Sequence, residues 1–476
     1  MTEPDTETYD FTGRSPAVGF GTVPFWHVGA PAREARRPLE VGRHYDVVIV
    51  GGGFTGLWSA HHLIERAGTI SVAVLEANDV GYGASGRNSG VLSNWMGHSP
   101  TSLLHLGREM AGEIHHAAVQ SVRDVIGIIK DRNLECDLEE VPLLYVSSSA
   151  AGDRRIRRDL NAAKEIGTDV YQEVSGRELR ARINAPRLSS GYEDTVSGTE
   201  NPVKLVRALA DDLSGRGLHL FERERVLNVS IGRQRVTVNT VDGPVFADQV
   251  ILARNAWSAS APPFERRLLP FYVYDVVTEP LSDAQWASLG WEGREPVNDR
   301  RFFLINYRRT PDGRLMFGGV DGRQPFAARI EPRYDRAPAV FAAQSKALTQ
   351  VFPSLAGIRI SFGHGGPIAM TPTLLPQVGL LKGGRVGYSH GYCGHGVAQS
   401  HFCTSILVDL LCGKKPDGRH FPFVNAASRR YPREPLRWIG GAVTRAEGLW
   451  YDKAGDEGRP SSAEPKLLRA VSRLLS

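Results

Sequence analysis

A glycine-rich turn between a strand and a helix carries the clearest chemical signal in the chain. The stretch from Tyr45 to Glu76 reads YDVVIVGGGFTGLWSAHHLIERAGTISVAVLE. Its β-branched start predicts a strand buried on both faces, and the apolar spacing after the glycines predicts a helix. The turn residues are the candidate phosphate contacts, namely Gly51, Gly53, Phe54, Thr55 and Gly56.

Each glycine of this turn has a physical task. Gly51 lets the chain leave the strand sharply, Gly53 lets a pyrophosphate approach the backbone, and Gly56 lets the helix pack on the sheet. The helix N-terminus favours negative charge. Glu76 follows about 20 residues later, where its carboxylate can accept ribose hydroxyls, with Ala77 beside it. The pattern indicates dinucleotide binding, with a purely structural turn as the alternative, and does not separate FAD from NAD.

Two further glycine-rich loops favour contact with the same ligand. The first follows the second strand, at the sheet edge where ligands bind, and a flexible loop is the alternative. Its candidate residues are Ser85, Gly86, Arg87, Asn88, Ser89 and Gly90. The second precedes a helix predicted to end near Leu411, so its N–H groups favour negative charge, and an ordinary cap is the alternative. Its candidate residues are Gly391, Tyr392, Cys393, Gly394, His395, Gly396 and Val397.

The composition is that of an ordinary globular protein. The 476 residues carry a formal charge of +5 spread over scattered arginines, which argues against nucleic-acid binding. The four cysteines show neither a disulfide framework nor metal-ligand spacing, so no metal is expected. The chain contains neither an apolar run long enough for a membrane span nor an N-terminal apolar signal core. We therefore expect a cytoplasmic protein, with an N-terminal arm anchored by Phe25 and Trp26.

The fingerprint followed by GASGRNSG resembles the glycine-oxidase and D-amino-acid-oxidase superfamily of FAD-dependent amine oxidoreductases. The similarity is greatest to its bacterial γ-glutamylputrescine-oxidase-like branch and extends over nearly the whole chain after about residue 40. It implies non-covalently bound FAD, with covalent attachment at Cys393 as an alternative. It also implies an α/β fold, in which a doubly wound Rossmann-type FAD domain carries an inserted, β-rich substrate domain with an antiparallel sheet.

The resemblance divides the chain into alternating parts. The FAD domain is expected at 43–140, 197–268 and 363–420, and the substrate domain at 141–196 and 269–362. The remaining parts are an arm at 1–42 and a tail at 421–476. The tail is expected to pack on the FAD domain, and 150–185 is expected to be helical, broken by Gly167 and Gly176.

Several residue roles follow from the resemblance alone. Val226 is expected to contact adenine through its backbone, and Tyr272 and Tyr274, with Tyr307, are candidates for a sheet wall over the flavin, against simple sheet packing. His364 stands where relatives often carry Trp, and it is either a site residue or a structural histidine. His395 joins Tyr272, Tyr274 and His364 as a candidate catalytic residue. Arg301 and Arg308 could hold an anionic substrate end, although a surface role is favoured.

The expected reaction is oxidation of a C–N bond in an amine or amino acid. Hydride would pass to flavin N5, the imine would hydrolyse, and electrons would pass to oxygen, giving hydrogen peroxide. Many oxidases of the family use a lysine for the oxygen step, and none can be placed in this sequence. Two alternatives therefore remain, an N-demethylating dehydrogenase with another acceptor and a flavin-binding protein without turnover. The expected partners are a small-molecule substrate and an electron acceptor.

Overall fold

A computed structural model describes residues 7–10, 23–30, 37–381, 383–426 and 429–459. The strands are β1 (Glu7–Asp10), β2 (His44–Val50), β3 (Val72–Glu76), β4 (Val91–Leu92), β5 (Leu143–Ser147), β6 (Tyr171–Ser175), β7 (Ser190–Asp194), β8 (Gly198–Thr199), β9 (His219–Glu222), β10 (Val226–Ile231), β11 (Val236–Thr240), β12 (Pro244–Leu252), β13 (Leu269–Thr278), β14 (Val297–Asp299), β15 (Ile305–Arg309), β16 (Leu315–Gly318), β17 (Ile360–Met370), β18 (Gln377–Leu380) and β19 (Val386–His390). The helices are α1 (Phe54–Ala67), α2 (Pro100–Leu103), α3 (Arg108–Asp131), α4 (Ala150–Ile166), α5 (Gly176–Arg182), α6 (Pro202–Gly215), α7 (Asp283–Leu289), α8 (Pro338–Val351), α9 (Gly396–Leu411) and α10 (Leu436–Asp456).

The first sheet has a parallel centre. Strands β9, β3, β2, β12 and β19 lie side by side in that order, and each neighbouring pair is parallel. Along β2, Val47 and Ile49 face one apolar cluster while Val48 and Val50 face another. The predicted burial of this strand on both faces is confirmed, because helices α1, α6 and α9 cover one side and residues of strands β10 and β11 pack in the cluster on the other.

The second sheet is mainly antiparallel, in the order β17-β13-β16-β15-β14-β5-β7-β6. Only the pairing of β14 with β5 is parallel among its described ladders. Strand β17 pairs with β13 from Ile360 as far as Met370, which places 363–370 in this sheet and not in the third part of the FAD domain as predicted. The other domain boundaries remain a prediction.

Two stretches differ from the sequence expectation. Strand β6 separates α4 from α5 within 150–185, and Ser175 caps α5 with a reciprocal bond to Glu178, so Gly176 begins a helix rather than breaking one. The start of the tail packs on the first sheet as predicted, because Phe421, Phe423 and Val424 join its apolar cluster, but the long helix α10 packs on the second sheet's side. There the Asp452 carboxylate accepts the N–H groups of Phe302 and Phe303 at 2.8 and 2.9 Å.

Candidate functional site

A cavity of about 1330 Å³ lies between the two sheets. Its walls include the fingerprint turn after β2, the loop before α9, one face of β13, and helix α10. The carboxyl ends of parallel strands therefore meet an antiparallel sheet across one continuous space. In open α/β sheets this edge is where ligands bind.

The fingerprint turn leaves room for a closely bound ligand. Gly51 has a φ of +116°, and a Cβ there would lie 2.6 Å from the carbonyl oxygen of Ala253. A Cβ on Gly53 would lie 2.8 Å from Ser85 Oγ, and one on Gly56 would lie 1.9 Å from the Gly51 oxygen. Gly53 caps α1 without a side-chain hydrogen bond, and of the N–H groups in the first turn that of Phe54 is bonded by Ser85, so the helix end at the cavity keeps further N–H groups for a ligand. This cradle fits a pyrophosphate.

Glu76 is held at the cavity wall by backbone donors. Its Oε2 accepts the N–H of Gly52 at 2.7 Å, and its Oε1 accepts the N–H of Asn78 at 2.9 Å. Burial raises the pKa of this carboxyl, and the two backbone hydrogen bonds oppose that rise. Each oxygen keeps a further lone pair, so the group fits the ribose hydroxyls of a dinucleotide.

The loop that follows β3 is fastened from three sides. Ser85 Oγ accepts the N–H of Phe54 at 2.9 Å, which ties the loop to the start of α1. Trp26 Nε1 donates to the Asn88 oxygen at 2.9 Å, so the predicted arm anchor is confirmed as a contact with this loop. Arg308 donates to the Ser89 oxygen at 3.0 Å and to Gly90. Arg308 is fully buried, so its favoured surface role is wrong.

Arg87 projects from the same loop into the protein rather than into solvent. Its guanidinium pairs with Asp335 at 3.2 Å and donates to the Gly365 oxygen. Burial lowers the pKa of Arg87 to about 10, and Asp335 opposes the shift. The side chain remains charged at neutral pH and joins the FAD-side loop to the second sheet.

The loop before α9 brings Tyr392, Cys393 and His395 to the cavity. Tyr392 Oη lies 3.0 Å from Thr55 Oγ1 and 2.8 Å from Ser389 Oγ, which links this loop to the fingerprint helix. Burial raises the pKa of the Cys393 thiol to about 11, which keeps it protonated at neutral pH and disfavours nucleophilic attachment. Burial also lowers the pKa of His395 to about 3, so its ring is neutral.

The cavity unites most of the predicted cofactor residues. Those on its wall are Gly51, Gly53, Phe54, Thr55, Glu76, Ala77, Ser85, Arg87, Asn88, Ser89, Val226, Tyr392, Cys393, Gly394, His395, Gly396 and Val397. Those behind it are Gly56, Gly86, Gly90 and Gly391. The four glycines behind the wall lie where neighbouring atoms leave no room for a side chain. A Cβ on Gly86, for example, would lie 2.3 Å from the Gly81 oxygen. These glycines allow the loops their shape but do not line the cavity.

Tyr272 and Tyr307, predicted candidates for a wall over the flavin, do not line the cavity, and their burial favours the alternative of simple sheet packing. Tyr272 and Tyr274 lie on the strand face that packs against α8, and the Tyr274 hydroxyl donates to the Tyr334 oxygen at 2.8 Å. Tyr274 borders the cavity, but its ring belongs to this packing cluster. Successive side chains of a strand point to opposite faces, and the sequence alone did not determine which face of β13 points to the cavity.

His364 is also behind the wall. It is fully buried on β17, and its Nε2 lies 4.0 Å from Asp275 Oδ2. Burial lowers the pKa of His364 to about 3, and nearby Arg87 adds to the effect. The ring is therefore a neutral neighbour of the cavity-lining Asp275.

Sequence reasoning missed the polar groups that the second sheet presents to the cavity. Asp275 of β13 and Asn306 of β15 both line it, on the face that also carries Phe271 and Val273. An acid inside the apolar run FYVYDVV was the available signal, because such a residue rarely lies in a strand core without a partner. Helix α10 was missed as well, and it adds Arg437, Gly441 and Arg445 to the wall.

A group of histidines lies apart from the cavity. His61 and His62 of α1 and His401 of α9 bring ring nitrogens within 4.8 Å of one another. His62 Nε2 is 3.0 Å from the His401 oxygen, and the ring of His401 meets Trp58 edge-on. We interpret this group as the packing contact between two helices that both begin at the cavity.

Comparison with known proteins gives consistent matches. The family model described as DAO, FAD dependent oxidoreductase, matches residues 46–410. The chain is 30% identical to gamma-glutamylputrescine oxidoreductase of Escherichia coli K12, over 81% of this chain and 89% of that protein. It is 28% identical to the probable oxidoreductase OrdL of Haemophilus influenzae, over 79% of this chain and 85% of the relative.

Solved structures share the fold. The crystal structure of glycine oxidase from Geobacillus kaustophilus superposes with a TM-score of 0.67 at 20% identity, covering 82% of this chain and all of that one.

The described helices include none that is long and apolar enough to cross a membrane.

Proposed function

Because the chain belongs to the DAO family of FAD-dependent oxidoreductases, and is itself an FAD-dependent amine or amino-acid oxidoreductase, we propose how its reaction proceeds. The substrate is a primary or secondary amine, or an amino acid, whose α-carbon passes a hydride to flavin N5. The resulting imine is hydrolysed, and oxygen takes the electrons to give hydrogen peroxide. The observation that carries this proposal is the single cavity that joins the fingerprint turn to the second sheet.

The cofactor half of the cavity supports the proposed orientation. The first turn of α1 suits the pyrophosphate, and the Glu76 carboxylate suits the ribose. Helix α9 begins at Gly396 without a side-chain cap, so its N–H groups favour negative charge at the opposite end. The neutral His395 adds no positive charge there. We therefore assign stabilisation of the reduced ring's charge to the helix and its backbone.

The electron acceptor has a second candidate. Among the described residues that line the cavity there is no lysine, and the cationic side chains there are arginines. The lysine that the resemblance associates with the oxygen step therefore has no counterpart on this wall. This observation favours the alternative of an N-demethylating dehydrogenase that uses an acceptor other than oxygen.

Anaerobic titration of the purified yellow protein with amines and amino acids tests the proposal. A substrate bleaches the flavin absorbance, and readmitted air restores it with one hydrogen peroxide per turnover if oxygen is the acceptor. Slow reoxidation by air, with fast reoxidation by an added dye and release of formaldehyde, supports the dehydrogenase. Bleaching by dithionite but by no amine in a broad panel would overturn the proposed reaction.

A further inference from the structure

Two acceptor side chains meet on the cavity face of the second sheet. Asp275 on β13 and Asn306 on β15 are both in register with Gly318 of β16, the strand between them. A Cβ on Gly318 would lie 1.8 Å from Asp275 Oδ1 and 2.7 Å from Asn306 Oδ1. The missing side chain is what allows both groups to extend over the central strand.

Neither acceptor is satisfied by the protein. Within the part of the chain that the structure describes, no donor reaches the Asp275 carboxyl, and Asn306 Oδ1 is buried without a hydrogen bond. Asp275 is only 7% exposed, and burial raises its pKa to about 7. Buried polar groups are normally hydrogen-bonded, so an unsatisfied pair on a cavity wall indicates a missing ligand.

The surrounding charges do not compensate Asp275. His364, its cross-strand neighbour on β17, is neutral. Arg87, which lies near His364, pairs with Asp335 and donates to the Gly365 oxygen. On the α10 side, Arg445 Nε donates to Asp321 Oδ1 at 2.7 Å. The cavity therefore contains a carboxyl whose countercharge has to come from outside the protein.

A ligand that matches this site carries several N–H donors and a positive charge. An alkylammonium group offers three donors, which the two oxygens of the cavity-lining Asp275 carboxylate can accept. Phe271 and Val273 lie on the same face and present an apolar surface to the attached carbon chain. An anionic group would instead meet the Asp275 carboxyl as a like charge.

We propose that Asp275, with Asn306 beside it, binds the ammonium group of the substrate and accepts one of its protons, which leaves the neutral amine whose α-carbon can give up a hydride, so that the enzyme selects amines bearing this cation. This inference rests on the proposed amine oxidation and assigns its substrate class. Asp275 acts as the charged partner and proton acceptor, and Asn306 is the enclosed neutral amide that lies beside it over Gly318.

The test pairs a charged probe with a neutral one. tert-Butylammonium and tert-butanol, called butylammonium and butanol below, are titrated separately into the flavin-loaded protein. Neither has a hydrogen on the carbon that bears the polar group, so neither can reduce the flavin, and the change in flavin absorbance gives each Kd. Asp275→Asn keeps the shape but removes the charge, so the Kd for butylammonium should rise about 10- to 100-fold while that for butanol stays constant. Asn306→Leu should give a smaller rise. Asp312→Asn, on the exposed turn between β15 and β16, is the control and should change neither Kd.

The pH dependence gives a second readout. Ammonium binding needs the carboxylate, so the wild-type Kd should rise about tenfold per pH unit below about 7. This rise of the Kd at low pH should be absent in Asp275→Asn. If Asp275→Asn does not bind flavin, Asn306→Asp replaces it, and the added carboxyl should tighten butylammonium binding.

The outcomes separate this inference from the proposed function. If amines reduce the wild-type flavin but Asp275→Asn binds butylammonium normally, the inference is overturned and amine oxidation stands. If no amine reduces the flavin while Asp275→Asn still weakens ammonium binding, the site stands and the reaction is overturned. Equal binding of butylammonium and butanol by the wild type would also overturn the site.

Discussion

Asp275 and Asp194 are two carboxyls buried in the same sheet, one on β13 and the other on β7. Burial raises the pKa of Asp275 to about 7 and that of Asp194 to about 8. Their surroundings nevertheless differ. Asp194 Oδ1 accepts Asn94 Nδ2 at 2.8 Å and the N–H of Val196 at 3.1 Å, whereas Asp275 accepts no donor from the described residues.

The two sites also differ in what encloses them. Asp194 lies in the interior, where Tyr171 Oη donates to Asn94 Oδ1 at 2.6 Å and completes a chain of hydrogen bonds. Its other oxygen, Oδ2, is enclosed without a partner, which suits a protonated carboxyl. Asp275 opens on the cavity instead. A raised pKa therefore reports burial in both cases, and only the missing donors and the open space distinguish a binding group from a structural one.

The largest expected effect comes from filling the space beside Asp275. In Gly318→Ala the new Cβ would need the position now taken by Asp275 Oδ1, so the carboxyl must move. We expect kcat/KM for an amine to fall about 100-fold with flavin content unchanged, because a displacement of about 1 Å disturbs substrate orientation. Gly127→Ala, in α3 where nothing lies within 4 Å, is the control. Full activity in Gly318→Ala would contradict the assigned geometry.

A smaller effect, on stability alone, is expected at the other carboxyl. Asp194→Ala leaves Asn94 and the N–H of Val196 without their acceptor, so the free energy of unfolding should fall by about 2 kcal/mol. Activity per bound flavin should be unchanged. Asp275→Ala should show the reverse pattern, with lost amine binding and no loss of stability, since it removes an unsatisfied carboxyl. Urea unfolding and steady-state kinetics of both variants measure this contrast. Equal changes in stability and in amine binding for the two variants would contradict it.

More of the residues predicted for the cofactor than of those predicted for the substrate lie on the cavity wall. The fingerprint at Gly51 to Gly56 depends on local turn chemistry that a short stretch encodes, and the cavity accordingly includes Gly51, Gly53 and Glu76. The wall from β13 depends on which face of a strand meets the ligand. Tyr274 and Asp275 are adjacent in sequence, and only the packing of α8 on the tyrosine face decides that the acid faces the cavity.

Helix α10 shows a second limit of prediction from the sequence. Its contacts are distant in sequence, since the Asp452 carboxylate accepts the N–H groups at 302 and 303. The basic, Pro-rich approach to this helix gave no sign that it would close the cavity. Long-range docking of this kind depends on two surfaces that a single sequence does not pair.

The last expected effect is the pH dependence of stability that Asp194 contributes. Its folded pKa of about 8 exceeds the unfolded value of about 3.9, so between these pH values the folded protein binds more protons than the unfolded chain. The free energy of unfolding therefore decreases as pH rises through this window, by at most about 1.4 kcal/mol per pH unit for this group. Asp194→Asn should flatten the dependence across the whole window. Asp275→Asn should flatten it only up to about pH 7, where that folded carboxyl titrates. Urea unfolding of the three proteins across this range measures the slopes, and identical slopes would mean that neither carboxyl holds its proton on folding.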